Sequence, residues 1–270
     1  MSSPQQVKPG SAVPALDRAD LVLQLLAASN KPLHPTDLAQ RTGLAKSTLY
    51  LLLASLEQRR WIEKKGGGYV IGVGLYVLGC AYVHFDNLQS AFRTAATEFV
   101  TEHNEVVQLA VLEGSDVVYL AREDAHRPVR LVSDVGTRLP AHACALGKAL
   151  LAQMLDEDVV QLLPARLVAV TDRTITSHEA LCRELAEVRR TGLARDLEEV
   201  AAGLICFSVY AGETPMGRQI AVSTSIPTDR LDKKRETSII QAIVRVAQQV
   251  KLRLAMSAGR ALESLAQGPD

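Results

Sequence analysis

The four cysteines of the chain stand far apart, at 80, 144, 182 and 206. With no CxxC pair, a zinc-knuckle spacing and a dense disulfide framework are both excluded. Reduced thiols, and with them a cytoplasmic location, are the expectation. No apolar run reaches the roughly 18 residues of a membrane span. The first stretch, "MSSPQQVKPGSA", lacks the apolar centre of a secretion signal and reads as a disordered tail over residues 1–12. Aromatic residues make up only 4%, which disfavours a large flat ligand held by ring stacking. Catalytic signatures are missing too. There is no G-x-S-x-G elbow, and "ALGKAL" at 145–150 has the Gly-Lys of a phosphate loop without its upstream glycine. His142, Cys144 and Cys206 have no tight metal-ligand spacing. No enzyme activity, cofactor or metal is expected, and no internal repeat is visible.

What is present begins with charge. Lys+Arg and Asp+Glu are each 30, so the net charge is zero, but the distribution is uneven. Residues 1–75 hold nine Lys/Arg against five Asp/Glu, a local +4 that leaves −4 on the rest. A small basic front on a larger acidic back points to a polyanion partner at the front. The length, 270 residues, suits one large domain or two ordinary ones.

The front reads as three helices and a hairpin. From Val13 to Ser29, Leu16, Leu21, Val22, Leu25 and Leu26 form one stripe. A short helix over Thr36–Arg41 has Thr36 as N-cap, Asp37 in its first turn, and Leu38 and Ala39 facing inward. Gly43 makes a turn, and a third helix runs from Lys46 to Arg59. Its Leu49, Leu52, Leu53 and Leu56 follow the i, i+3, i+4, i+7 rule of a buried face, leaving Lys46, Ser47, Tyr50 and Ala54 outside. Trp61–Glu63 and Tyr69–Ile71 then flank "KKGGG", a hairpin with a flexible basic tip. This order is that of a winged helix-turn-helix over residues 13–72. Its third helix is slim enough for a major groove about 12 Å wide, with Lys64 and Lys65 over phosphates. Helix-turn-helix with a leucine stripe also occurs in purely structural helical cores, and pattern alone leaves both readings open. Residues 73–87 belong to an unusually apolar helix, read as a linker that also buries against a partner chain or, alternatively, is sandwiched within one chain.

From residue 88 to 257 the pattern is an α+β domain with an antiparallel sheet. A helix over Leu88–His103 precedes two strands, "EVVQLAVLEG" and "DVVYLARED", turning at "EGSD"; "RPVRLVSDVG" is a third. Helices follow at "CALGKALLAQM", "DEDVVQLLP" and "SHEALCRELAEVRRTG", the last with Ser177 as N-cap and Gly192 just past its end. Strands lie around 193–197, 204–210 and 218–225. A final helix spans 234–257, and 258–270 is a tail.

In register, the segments "VPALDRADLVLQLLA", "TGLAKSTLYLLLASLEQRRWIEK", "GGGYVIGVGLYVLG", "RLVSDVGTRLPAHACALGKALLA" and "GLARDLEEVAAGLICFSV" resemble the IclR-type bacterial transcription regulators over residues 13–257. The resemblance implies a winged helix-turn-helix joined by a linker helix to a GAF-like sensor domain. It implies a repressor or activator of a catabolic operon, with no membrane role. It also implies a homodimer or dimer of dimers on a pseudo-palindromic double-stranded operator, modulated by a small metabolite, a carboxylate. Arg41, Lys46, Ser47, Thr48, Tyr50, Lys64 and Lys65 are then the DNA contacts, Ser47 and Thr48 being open to a simple capping role as well. Carried over from the family's pocket, Ala145, Leu146, Asp196, Cys206, Ser223 and Ser225 form the effector site. Leu131 and Ser133, on one face of the preceding strand, line its wall. For each a plain structural role stays open: Cys206 as an apolar core residue, Asp196 as a turn cap, the serines as partners of backbone groups. Two departures stand out. Leu51 replaces the arginine usual after "STxY", and Tyr210 in "CFSVYAGE" is bulkier than the family's pattern. A stand-alone sensor module is the rival reading, and it has no use for the basic front.

Overall fold

Helix α1 (Pro14–Ala27) opens on a proline, whose fixed φ and missing N–H suit a first helical position. Helix α2 (Pro35–Thr42) does the same, so His34, not Thr36, occupies the N-cap. Gly43 ends α2 in the left-handed conformation (φ 67°), which glycine adopts without steric penalty, and α3 runs over Lys46–Gln58. The computed structural model describes residues 12–84, 88–126, 131, 133–214 and 216–266. The expected tail over 1–12 lies outside them except for Ala12. Two units make up the chain, Met1–Phe85 and Asp86–Asp270.

The first unit closes around Val22, Leu26, Leu33, Leu38, Leu49, Leu53, Leu56, Ile62 and Tyr69. Leu52 of the predicted stripe is only half-buried, and Leu16 of α1 is exposed, because the small core is filled by the later turns of α1. The hairpin strands are β1 (Ile62–Lys65) and β2 (Gly68–Ile71), longer toward the tip than predicted. Gly66 and Gly67, both at positive φ, form the two-residue turn that a hairpin's twist favours. Lys64 and Lys65 therefore sit on a strand, not on a loose tip. The backbone of Leu33 exchanges two hydrogen bonds with Tyr69 (3.0 and 2.8 Å) and pins the hairpin to the helices. Helix α4 (Val73–His84) follows; residues 85–87 of the predicted linker lie outside the described residues.

The second unit is built on six antiparallel strands in the order β5-β4-β3-β8-β7-β6. They are β3 (Val106–Glu113), β4 (Asp116–Glu123), β5 (Arg138–Pro140), β6 (Ala194–Leu197), β7 (Leu204–Glu213) and β8 (Gln219–Pro227). Alternate residues of the central strands feed two cores. On one face Val107, Leu109, Phe207, Val222 and Ile226 pack with α5 (Leu88–His103) and α9 (Lys233–Ala266). On the other, Ala110, Tyr119 and Ala221 pack with α6 (Ala145–Leu151), α7 (Asp156–Leu162) and α8 (His178–Thr191). Ser177 caps α8 by accepting from the Ala180 N–H at 3.1 Å, and Gly192 ends it at φ 73°.

Two expectations are corrected. Of the strand read over "RPVRLVSDVG", residues 127–130 and 132 lie outside the described residues, and Leu131 and Ser133–Gly136 are not strand; the sheet's edge is β5, further on. Helix α9 continues nine residues past Ser257, so most of the predicted tail is helical. Among the described residues no helix is long and apolar enough to cross a membrane. Gly147 sets the seat of α6: a Cβ there would lie 2.0 Å from the Ala141 carbonyl oxygen, so a side chain would lever the helix off its neighbour.

Candidate functional site

Two surfaces carry the predicted residues, one in each unit. In the first, the hydrophobic stripe of α3 turns Lys46, Ser47, Tyr50, Leu51 and Ala54 to the outside, all exposed; Thr48 is half-buried and Arg41 in the last turn of α2 is exposed. Neither Ser47 nor Thr48 caps the helix, since Ala45 holds that position and makes no side-chain bond there. Lys65 is exposed on β1, but Lys64 is engaged: its Nζ lies 3.0 Å from Glu57 Oε2 on α3 and 5.7 Å from the Tyr69 ring centroid. Lys64 thus ties the hairpin to the third helix, a contact that the reading of a flexible basic tip does not include. Tyr50, Lys64, Lys65, Tyr69 and Pro35 share one open groove.

In the second unit, strand pairing assembles a polar row. Asp196 of β6 pairs with Cys206 of β7, and Cys206 with Ser225 of β8. Cross-strand partners project to the same face, so carboxyl, thiol and hydroxyl stand side by side. The next row holds Ser208, Ser223 and Gln108. The face is roofed by the start of α6. Ser133, Ala145, Leu146, Asp196, Cys206, Ser223 and Ser225 line one small cavity, and Leu131 packs against Ala145, Leu204 and Cys206 at its margin. All eight residues expected there are brought together. Tyr119, Cys144, Val200 and Leu204 also line it and were missed. The enclosed space is about 10 Å³, roughly room for a single water.

The polar atoms are largely committed. Cys206 Sγ and Ser225 Oγ are 3.2 Å apart, and Ser208 Oγ donates to the Val222 carbonyl at 2.9 Å. Asp196 Oδ1 accepts from the N–H groups of Glu199 (2.6 Å) and Val200 (3.3 Å), the turn-capping use foreseen as its structural alternative. Ser133 is clamped from the sheet. Gln108 Nε2 donates to its Oγ at 2.9 Å, and Arg122 Nη1 donates to its carbonyl at 2.9 Å. A lone glutamine within the apolar run "EVVQLAVLEG" was the sequence signal for this clamp. Burial pushes the Cys144 thiol up to about 12 and Cys206 well above its ordinary value, so both are neutral thiols, not nucleophiles. Burial also pushes the Asp196 carboxyl up to about 6, against the pull of the Glu199 N–H. Among the described residues no three His, Cys, Asp or Glu side chains are grouped to hold a metal.

Next to the cavity, on the helix that roofs it, lies an ion pair with no counterpart among the predicted site residues. Lys148 on α6 is 0% exposed. Its Nζ donates to Glu199 Oε1 at 2.5 Å and to the Arg195 carbonyl at 2.9 Å, with Glu184 Oε1 at 3.6 Å. The pair ties the roof of the cavity to the turn that holds Asp196.

Residues 80–252 match the sequence profile of the bacterial transcriptional regulator IclR C-terminal domain, and residues 15–66 that of the IclR helix-turn-helix domain. The chain is 31% identical over 245 residues to the transcriptional repressor IclR of Escherichia coli (strain K12), covering 89% of each. It is 31% identical over 248 residues to the HTH-type transcriptional regulator BhcR of Paracoccus denitrificans, covering 89% of this chain and 87% of that one. Its fold is shared with an IclR homolog from Microbacterium hydrocarbonoxydans solved with 4-hydroxybenzoate, at a TM-score of 0.73 and 24% identity, over 88% of this chain and 99% of the other.

Removing one partner of a buried pair strands the other charge, at a cost of about 3–5 kcal/mol. Lys148→Met is expected to lower the stability of the second unit by that amount, and adding Glu199→Gln to recover most of it. Urea titration followed by far-UV circular dichroism reads the loss. Trp61, the chain's one tryptophan, lies in the first unit, and its fluorescence midpoint should stay in place. Equal destabilisation in the single and double variants would refute the pairing.

Proposed function

The chain belongs to the IclR family of bacterial transcriptional regulators, a DNA-binding regulator with a C-terminal effector domain and not an enzyme, and from this we propose that it reports a small carboxylate metabolite to a pseudo-palindromic operator. Arg41, Lys46, Ser47, Thr48 and Tyr50 are the residues proposed to meet DNA, with Lys65 and the Glu57-tethered Lys64 over the flanking phosphates. Free N–H groups in the first turn of a helix favour an anion, and Lys46 adds a charge there. The genes under control are those that consume the acid, and the protein acts in the cytoplasm, where its operator is.

The observation that carries the effector reading is the in-register row Asp196, Cys206 and Ser225, roofed by Ala145 and Leu146. Hydroxyls and the unpaired N–H groups that open any helix suit a carboxylate. Asp196 would repel an anion when ionised and donate to it when protonated, so its raised pKa fits the role. The 4-hydroxybenzoate of the solved homolog is a carboxylate of this kind. Effector and operator then alter each other's affinity reciprocally.

A homodimer is proposed through α4. That helix is apolar all round, and Val73, Tyr76 (73% exposed), Val77 (63%) and Leu78 lie open, an apolar surface that isolated soluble helices do not keep. Two copies would present their α3 helices to adjacent half-sites about one DNA turn apart.

Three outcomes are expected. Light scattering should give a mass near twice 29.2 kDa, and Tyr76→Glu with Val77→Glu should give a monomer that loses operator affinity; a dimeric double variant would remove α4 from the interface. Lys46→Ala should weaken DNA binding and reduce the slope of log affinity against log salt by about one; an unchanged slope would take Lys46 off the phosphates. Calorimetry against short-chain carboxylates and 4-hydroxybenzoate should give affinity that falls as pH rises through about 6, where Asp196 ionises, and Asp196→Asn should flatten that profile. A flat profile in the unmodified protein would separate Asp196 from the ligand.

A further inference from the structure

The outermost line of α3 has little to offer a polar base edge. Opposite the buried Leu49, Leu53 and Leu56, the helical period places Ser47, Leu51, Ala54 and Gln58 in one stripe, and all four are exposed. Tyr50 lies to one side and shares the groove of the hairpin lysines. Glu57 lies on that same side and is taken up by Lys64. Leu51, 73% exposed, is therefore the side chain at the centre of the face presented to DNA. Gln58 stands about 16 Å along the axis from Ser47 at the helical rise, at the far end from the turns that reach base edges in this motif.

In the major groove guanine is read by Arg or Lys, adenine by Asn or Gln, and cytosine by an acid; the one apolar group displayed there is the C5-methyl of thymine. Leu51 and Ala54 can bond to none of the polar edges. Pressed against them, Leu51 would strip water from donors and acceptors and replace none of it. Against a thymine methyl it loses only its own exposure. We propose that Leu51, flanked by Ala54, reads a thymine methyl group in each operator half-site, so that the base facing the second turn of α3 is selected by an apolar contact and not by hydrogen bonding. The proposal rests on the DNA-binding reading above.

The full-length protein is used to select duplexes from a random 30-base-pair library, and each thymine of the enriched site is then replaced in turn by deoxyuridine, which lacks only the methyl. Anisotropy titrations at fixed salt should show one thymine per half-site at which the change weakens binding roughly fourfold, the factor that ~0.8 kcal/mol per buried methyl gives. Leu51→Ser, at an exposed position, should keep the melting temperature and bind the thymine and uracil sites equally, which isolates the contact as a double-mutant cycle. Leu51→Arg should shift selection at that position to guanine. The proposal is overturned if uracil is neutral at every position. It is also overturned if uracil weakens the wild type and Leu51→Ser alike, the signature of DNA shape rather than contact. Failure to enrich any sequence, with binding that follows salt alone, would instead bring down the sequence-specific operator reading, and this proposal with it.

Discussion

The second unit depends on a lysine that has no contact with water. Lys148 is neutralised by Glu199 and holds the Arg195 carbonyl, and through those two bonds one helix carries the edge strand, a turn and a loop. Glu199 passes the constraint on. Its N–H donates to Asp196, and its carbonyl accepts from Thr171 and Thr174 at 3.1 and 2.6 Å. The carboxyl of Asp196 is thus aimed by a chain of bonds that starts on α6, the same helix whose first residues roof the cavity. A buried ion pair adds little net stability over an apolar pair of the same shape. What it supplies here is position: the Lys148 ammonium bonds Glu199 and the Arg195 carbonyl at once, which fixes turn and strand against the helix.

Both units leave some large apolar side chains outside, Leu155 and Leu252 in the second among them. The second unit buries residues on both faces of its sheet and keeps its polar row inside. The first has a small core and leaves Leu51, Tyr76 and Val77 outside. Exposed leucines taken singly need no explanation. On a helix apolar all round, or on the outer face of a helix-turn-helix, they are the surfaces for which a second copy and DNA are proposed above as cover.

Much of this is legible in the sequence. The leucine stripe of α3, the Gly43 turn, the Ser177 and Gly192 caps and the strands around 204–225 each announce themselves by local periodicity or by one residue's backbone preference. The members of the cavity were reachable because the family resemblance placed them; no local pattern links Asp196 to Ser225. Long-range consequences were not legible. The engagement of Lys64 with Glu57 needs the hairpin to fold back on α3. The strand expected at "RPVRLVSDVG" has the right alternation, but Ser133 is held by Gln108 and Arg122 through its side chain and carbonyl, leaving the sheet's edge to β5. Lys148 reads in sequence as an ordinary surface residue of a short helix, and only burial distinguishes it. Thr36 lost its capping role to chain chemistry one residue earlier, where Pro35 fixes the first turn.

The small size of the cavity has a kinetic meaning. If the proposed effector binds in this cavity, whose free space is about 10 Å³, lining residues such as Leu204 must shift to admit it. Its apparent dissociation constant is then the intrinsic one divided by the fraction of molecules open. A proposed sensor of that kind would bind more weakly than its contacts alone allow, and at high concentration its rate of binding would be set by opening rather than by encounter.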